Sequence, residues 1–112
     1  MSAIRNQVQL IGNLGKKPEI KMFGENKKVA TFSIATSDYY YDQQGVRQQQ
    51  TQWHNVVAWG KNAQLAEKYL DKGMEIALSG KIVYRNFDDR EGKKKYVTEV
   101  VANEILLLTK KN

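Results

Sequence analysis

The sequence of 112 residues contains no cysteine, one proline and one histidine. Without cysteine there is no disulfide framework, no thiolate zinc site and no cysteine nucleophile, and a reducing, cytosolic home is permitted. Long hydrophobic runs are also missing. The longest, residues 105–108, is far too short to cross a bilayer, and the start, Met-Ser-Ala-Ile-Arg-Asn-Gln, has no secretory pattern. Acidic residues are the minority, 12 against 18 Lys and Arg, for a formal net charge of +6. The 41% of hydrophobic residues excludes wholesale disorder. A chain this short supports one core and one domain.

The charge is unevenly placed. Residues 1–35 carry +4 and residues 81–95 carry +3, whereas 36–80 sum to −1 and the last seventeen residues to zero. Two separated segments therefore hold the excess. An evenly mixed basic surface would serve only solubility, so the question is whether folding brings those segments to one face.

Most of the chain alternates with period two, in runs of β-branched and aromatic residues bounded by Gly, Asn and Asp, which is the strand signature. The first run, residues 7–14, is broken by Gly12 and followed by Gly15, as a sharply coiled strand requires. A short stretch, residues 19–23, leads to a turn at Gly24-Glu25-Asn26. Residues 28–37 form the second long strand, with Ala30, Phe32 and Ile34 on one side. Residues 42–50, polar and centred on Gly45, read as a hairpin connection to a third strand, residues 51–59. Asn62 is suited to cap a helix carrying the apolar stripe Leu65, Ala66, Tyr69 and Leu70, with Gly73 as its terminating residue. Strand four, residues 74–87, sets Ile76, Leu78, Gly80, Ile82 and Tyr84 opposite Lys81, Val83, Arg85 and Phe87. A charged hairpin tip, residues 88–95, leads to strand five, residues 96–108.

Three strands, one helix and two strands predict an all-β fold, a five-stranded Greek-key barrel of the oligonucleotide/oligosaccharide-binding (OB) type, with one α-helix between strands three and four. An SH3-like barrel or an α+β roll fits less well, because neither places its only helix there. Residues 1–108 form the domain, and 109–112 a short C-terminal end.

The informative aromatics are those that alternation turns outward. In strand three, Trp53, Asn55, Val57 and Trp59 oppose His54, Val56 and Ala58; the second set is small and apolar enough for a core, leaving two tryptophans outside. In strand four, Lys81, Arg85 and Phe87 share the side away from the core. A single nucleic-acid strand presents unstacked bases joined by phosphates, so its binder needs π-faces and cations together. Tyr69 and Tyr84 read as core residues. Of the triplet Tyr39-Tyr40-Tyr41, at least one is expected to be exposed, and either anchoring of the hairpin base or stacking accounts for it. Lys93, Lys94 and Lys95 are either a solvated turn or part of the basic face.

Taken together and in order, several short runs resemble the bacterial single-stranded DNA-binding protein family. These are Ile11-Gly12-Asn13-Leu14-Gly15, Pro18-Glu19, Ala35-Thr36-Ser37, Thr51-Gln52-Trp53-His54, Val56-Val57 with Trp59-Gly60-Lys61, Tyr69-Leu70 with Lys72-Gly73, and Thr98-Glu99-Val100-Val101. The resemblance covers residues 5–108. It implies an OB fold, a homotetramer, a cytoplasmic, nucleoid-associated location, and sequence-independent binding of single-stranded DNA in replication, recombination and repair, with no cofactor. The family's stacking positions fall on Tyr40, Trp53, Trp59 and Phe87, and its phosphate-contacting positions on Lys21, Lys61, Lys72 and Arg85; Lys81, Lys93, Lys94 and Lys95 join them from the charge pattern. His54 matches a position of subunit contact rather than catalysis or metal binding. Asn55, Val83 and Asn86 depart from the family, which commonly has basic residues there. The family also continues into a Gly/Pro/Gln-rich linker and an acidic tip that recruits partners. This chain ends Leu107-Leu108-Thr109-Lys110-Lys111-Asn112, so DNA binding without tail-mediated recruitment is expected.

Three rival readings remain. A primosome-type relative would be a dimeric protein-interaction module, but such proteins lose most stacking aromatics, which this chain keeps. A nuclease would need a carboxylate cluster or a positioned base, whereas the acidic residues here are scattered or lie in the Asp88-Asp89 turn. A purely structural oligomerisation domain would explain the tryptophans but not the cations beside them.

Overall fold

A computed structural model describes residues 3–109. After a 3-10 turn (Ala3–Asn6) come β1 (Val8–Leu14), β2 (Glu19–Phe23), β3 (Lys27–Tyr41), β4 (Arg47–Trp59), α1 (Lys61–Tyr69), β5 (Glu75–Asp88) and β6 (Lys94–Leu107). The strands form one sheet in the order β1-β5-β6-β4-β3-β2, and β1 also pairs with β3. That last pairing, Asn13↔Ala35 and Leu14↔Ile34, closes β1, β5, β6, β4 and β3 into the expected five-stranded barrel. The β4–β6 seam, Val56↔Val100 and Val57↔Val101, is parallel. The short β2 hairpins onto β3 outside the ring, so the helix lies between the fourth and fifth strands when every strand is counted.

Closing so small a barrel forces backbones together. A Cβ on Gly12 would stand 2.3 Å from the Ala35 carbonyl oxygen, and one on Gly80 would stand 2.2 Å from that of Val101. Only glycine fits either crossing. At Gly80 the β5–β6 register also slips, from Ser79↔Glu104 to Gly80↔Ala102, leaving Asn103 as an extra residue in β6. Such a bulge bends the strands and increases their twist. Inside, Leu14, Ala30, Phe32, Ile34, Val56, Ala58, Ile76, Leu78, Val100, Ala102 and Ile105 fill the barrel. One end is plugged by α1 through Ala63, Ala66 and Leu70, spaced to lie on one helical face.

Several local expectations are corrected. Asn62 does not cap α1: Gly60 occupies the cap position with no side-chain bond, and the Asn62 amide instead donates to the carbonyls of Ala102 and Asn103, tying the helix to β6. Gly73 does not terminate the helix, which ends against extended Leu70; it sits in the following turn, where its N–H donates to Leu14 O. Tyr69 is not core, because Ala63, Ala66 and Leu70 already fill the buried stripe; it lies 45% exposed with the Lys68 ammonium over its ring. Tyr84 is not core either. The alternation of β5 continues past Ile82, but the barrel does not, so the same face emerges into solvent.

That overrun produces two long arms. β3–β4 and β5–β6 both extend well beyond the barrel and end in tips of the same design. At one, Asp42 Oδ1 accepts the N–H groups of Gln44 and Val46; at the other, Asp89 Oδ1 accepts those of Glu91 and Lys93. Gly45 and Gly92 supply the left-handed residue in each. Two Asp-x-x-Gly sequences thus encode one turn twice.

Candidate nucleic-acid interface

Directly opposed residues of paired strands share a face. The β3–β4 register therefore aligns Val29 with Trp59, Thr31 with Val57, Ser33 with Asn55 and Ala35 with Trp53 on the outer side of the barrel. In β5–β6 the pairs Lys81↔Val101, Val83↔Glu99, Arg85↔Val97 and Phe87↔Lys95 likewise share one side. The parallel β4–β6 seam joins the two sets. A groove results, lined by Lys21, Phe23, Val29, Thr31, Val57, Trp59, Val83, Arg85, Glu99 and Val101. A second concavity, with Lys16, Ser33 and Asn55, shares Thr31 and Glu99 with it.

The floor is apolar and the rim is aromatic. Val29 and Val57 are buried although they face outward. Trp59, 46% exposed, is steadied by Phe23 with ring centroids 5.9 Å apart. Trp53, 61% exposed, lies across Gly15, where a Cβ would stand 2.7 Å from its ring. Both indoles are held from one side and open on the other, the arrangement that a stacking surface needs. Phe87 continues the same face along the β5–β6 arm, beside Lys95.

Arg85 is the most constrained cation of the groove. Its Nε donates to Glu99 Oε1 at 2.8 Å and its Nη2 to Oε2 at 3.1 Å, a bidentate pair. The hydrogen bonds and then the charge of Glu99 raise the Arg85 pKa still further, so the guanidinium is a permanent cation. Glu99 is nearly buried, whereas the Arg85 side chain remains 60% exposed. The guanidinium is thus fixed at one edge and available at the other.

The remaining expected residues divide. Lys21 lines the groove, and alternation sets Lys81 on its side of β5. Lys61, at the start of α1, and Lys72, in the turn before β5, are exposed but form no part of its walls. Among the tip lysines, Lys95 shares the Phe87 face and lies 3.9 Å from Asp89 Oδ2; Lys94 pairs with Asp88 on the reverse face, and Lys93 belongs to the turn. Tyr40 is not brought to this surface. It opposes Gln48 on the side shared with Asp38, while Tyr39 and Tyr41 carry on the Trp53 side. His54 lies on the inner side, half-buried, with Nε2 2.9 Å from Thr36 Oγ1.

Sequence reasoning missed Phe23, Glu99 and Lys16 as parts of this surface. Phe23 was accessible to it, because Lys21 and Phe23 are two apart in a strand and must share a face. Glu99 and Lys16 were not: one depends on the β5–β6 register, the other on the path of a loop. Among the described residues no cluster of three or more His, Asp or Glu side chains is placed to hold a metal ion. Nor is any helix long and apolar enough to cross a membrane.

A closed Greek-key barrel with an outward groove of aromatics and cations defines an oligonucleotide-binding module. The comparisons specify which. The model of the single-strand binding protein family matches residues 5–108. Single-stranded DNA-binding protein 1 of Chlorobaculum tepidum is 40% identical over 108 residues, covering 96% of this chain and 67% of that protein. Single-stranded DNA-binding protein 1 of Xylella fastidiosa strain 9a5c is 40% identical over 107 residues, 95% of this chain and 79% of that one. Among solved structures, the Plasmodium falciparum SSB in complex with ssDNA superposes with a TM-score of 0.85 at 32% identity, covering 93% of this chain and 95% of that chain. A deletion mutant of the Thermus aquaticus single-stranded DNA binding protein gives 0.81 at 29% identity, covering 93% and 50%. The chain belongs to the single-strand binding protein family.

Proposed function

We propose that this protein binds and protects single-stranded DNA without sequence preference, as a non-enzymatic component of replication, recombination and repair. The observation that carries the reading is the outward groove itself: two one-sided tryptophans, Phe87 and the cations Lys21, Lys81 and Arg85 on one continuous face. The match to a structure described as an SSB complex with ssDNA supports it. Trp53, Trp59 and Phe87 stack on bases, at about 1–3 kcal/mol each. Lys21, Lys81, Arg85 and Lys95 neutralise phosphates from the groove side. Lys61, Lys72, Lys93 and Lys94 contact DNA only where the strand leaves the groove.

The protein works as a homo-oligomer, a tetramer, in the bacterial cytoplasm. The outer side of β1, β5 and β6 supports assembly, because Ile11 and Leu106 are more than half exposed there around a shallow concavity with Leu10 and Ala77. Inner-side His54 belongs to the subunit contacts. Light scattering separates a tetramer from the dimer of a primosome-type relative.

Titration with oligo(dT) tests the binding itself. Quenching of both tryptophans is expected, with log K falling by about 0.7 per decade of salt for each phosphate neutralised. Unchanged fluorescence and no gel shift at low salt would overturn the reading.

A further inference from the structure

Trp53 and Trp59 are backed in different ways. Trp53 lies across the backbone at Gly15, whereas Trp59 is backed by a side chain of β2, the strand outside the ring. β4 ends at Trp59, and Gly60, with φ of 59°, turns the chain into α1. Support for the indole therefore comes from across β3. The registers Lys21↔Val29 and Val29↔Trp59 set β2 and β4 on either side of Val29, about 10 Å apart at twice the strand spacing. Short side chains do not meet over such a gap. Phe23, one outward position further along β2, meets Trp59 with ring centroids 5.9 Å apart and planes tilted by 33°, inside the range that aromatic pairs favour. Val29, between the two strands and facing outward, is only 4% exposed.

We infer that Phe23 is a positioning residue for Trp59: it backs one face of the indole so that the other is the face offered to a base. The inference rests on the single-strand binding reading above and gives β2 its part in that binding. An indole free to turn about its two side-chain torsions loses that freedom when a base stacks on it, and the loss subtracts from affinity. An indole already held loses less. Lys21, two residues before Phe23 and on the same side of β2, lines the groove as a cation. β2 thus contributes a charge and a backing ring, and salt separates the two. Loss of the charge flattens the slope of log K against log salt, whereas loss of the ring lowers affinity at every salt concentration and leaves the slope alone.

Fluorescence of the full chain in a Trp53→Phe background, where Trp59 is the remaining tryptophan, tests the contact. In the free protein, Phe23→Ala is expected to raise the acrylamide quenching of Trp59 and shift its emission to the red. With labelled oligo(dT), Phe23→Ala in the otherwise wild-type chain should weaken binding about 2- to 10-fold, the worth of an aromatic pair, at an unchanged salt slope. The double variant Phe23→Ala/Trp59→Ala should bind no more weakly than Trp59→Ala alone, because Phe23 acts only through the indole. Phe23→Tyr should retain wild-type quenching and affinity, and Met22→Ala, on the opposite side of β2, should change neither. Phe23→Leu keeps an apolar side chain beside Val29 without a flat face, and it carries the same test if the alanine variant loses stability. The inference is overturned if Phe23→Ala leaves the quenching unchanged, or if the two losses multiply in the double variant, as they would for two rings stacking independently. Wild-type protein that binds no oligo(dT) defeats the single-strand reading itself; the quenching of the free protein is read without DNA and keeps the two failures apart.

Discussion

Consider replacing Glu99. Its carboxylate is nearly buried yet lies in the wall of a groove whose proposed ligand is a polyanion, and Arg85 is what makes it tolerable. The two partners are unequally solvated, 60% exposed for Arg85 against 11% for Glu99, so breaking the pair from either end is not equivalent. In Glu99→Gln the freed guanidinium can be hydrated and the amide oxygen can still accept from Nε. A loss of about 1 kcal/mol of stability follows, near the exposed-pair range. In Arg85→Met the carboxylate is left without a partner in a dry position, costing about 1–3 kcal/mol. The double variant Arg85→Met/Glu99→Gln removes the stranded charge and should be more stable than Arg85→Met alone. Urea unfolding followed by circular dichroism, at one fixed protein concentration because assembly contributes to stability, measures all three against wild type. DNA binding supplies an independent readout. Glu99 partly neutralises Arg85 before any phosphate arrives, so Glu99→Gln should steepen the slope of log K against log salt by about 0.7. If the double variant is no more stable than Arg85→Met and the slope of Glu99→Gln equals that of wild type, the pair does not govern the charge of the groove.

Three further outcomes follow from the geometry. Gly80→Ala sets a Cβ 2.2 Å from the Val101 carbonyl oxygen, where only backbone movement relieves it, and should destabilise by about 3 kcal/mol, read as a lowered urea midpoint. Gly15→Ala instead meets the Trp53 ring at 2.7 Å, which can swing aside; stability should fall by less, about 1 kcal/mol, while Trp emission shifts and oligo(dT) affinity drops several-fold. Unchanged emission would show that Gly15 does not seat Trp53. The Asp42 carboxylate is held below its ordinary value of 3.8 by the Val46 N–H and then by the Gln48 amide, against an opposing effect of burial, with the Gln44 N–H adding the least. A depressed folded-state pKa means the tip contact is complete above pH 3.8 and is lost as pH falls through the lower value. The amide proton shifts of Gln44 and Val46 should therefore titrate with a midpoint under 3.8; a midpoint at or above it refutes the assignment.

Much of the fold was written locally. Alternation alone turned Trp53 and Trp59 outward and His54, Val56 and Ala58 inward, because a strand has only two sides and a small barrel fills one of them. Polar composition around Gly45 and the run of charge at residues 88–95 marked both hairpins. What alternation cannot report is where the barrel stops. Tyr84 obeys the period of the buried residues before it and is nevertheless solvent-exposed, because β5 and β6 run on together past the barrel, beyond the end of β1.

The sequence by itself set out the pieces. Strands, outward aromatics and surplus positive charge are properties of single residues and their immediate neighbours. Tertiary structure decided which of them act together. Phe23 reaches Trp59 only through the β2–β3 and β3–β4 registers, and Glu99 reaches Arg85 only through the β5–β6 register. Pairing register is a long-range quantity, set by the closure of the barrel and by the slip at Gly80. A one-residue change in it would turn every one of these side chains to the other face.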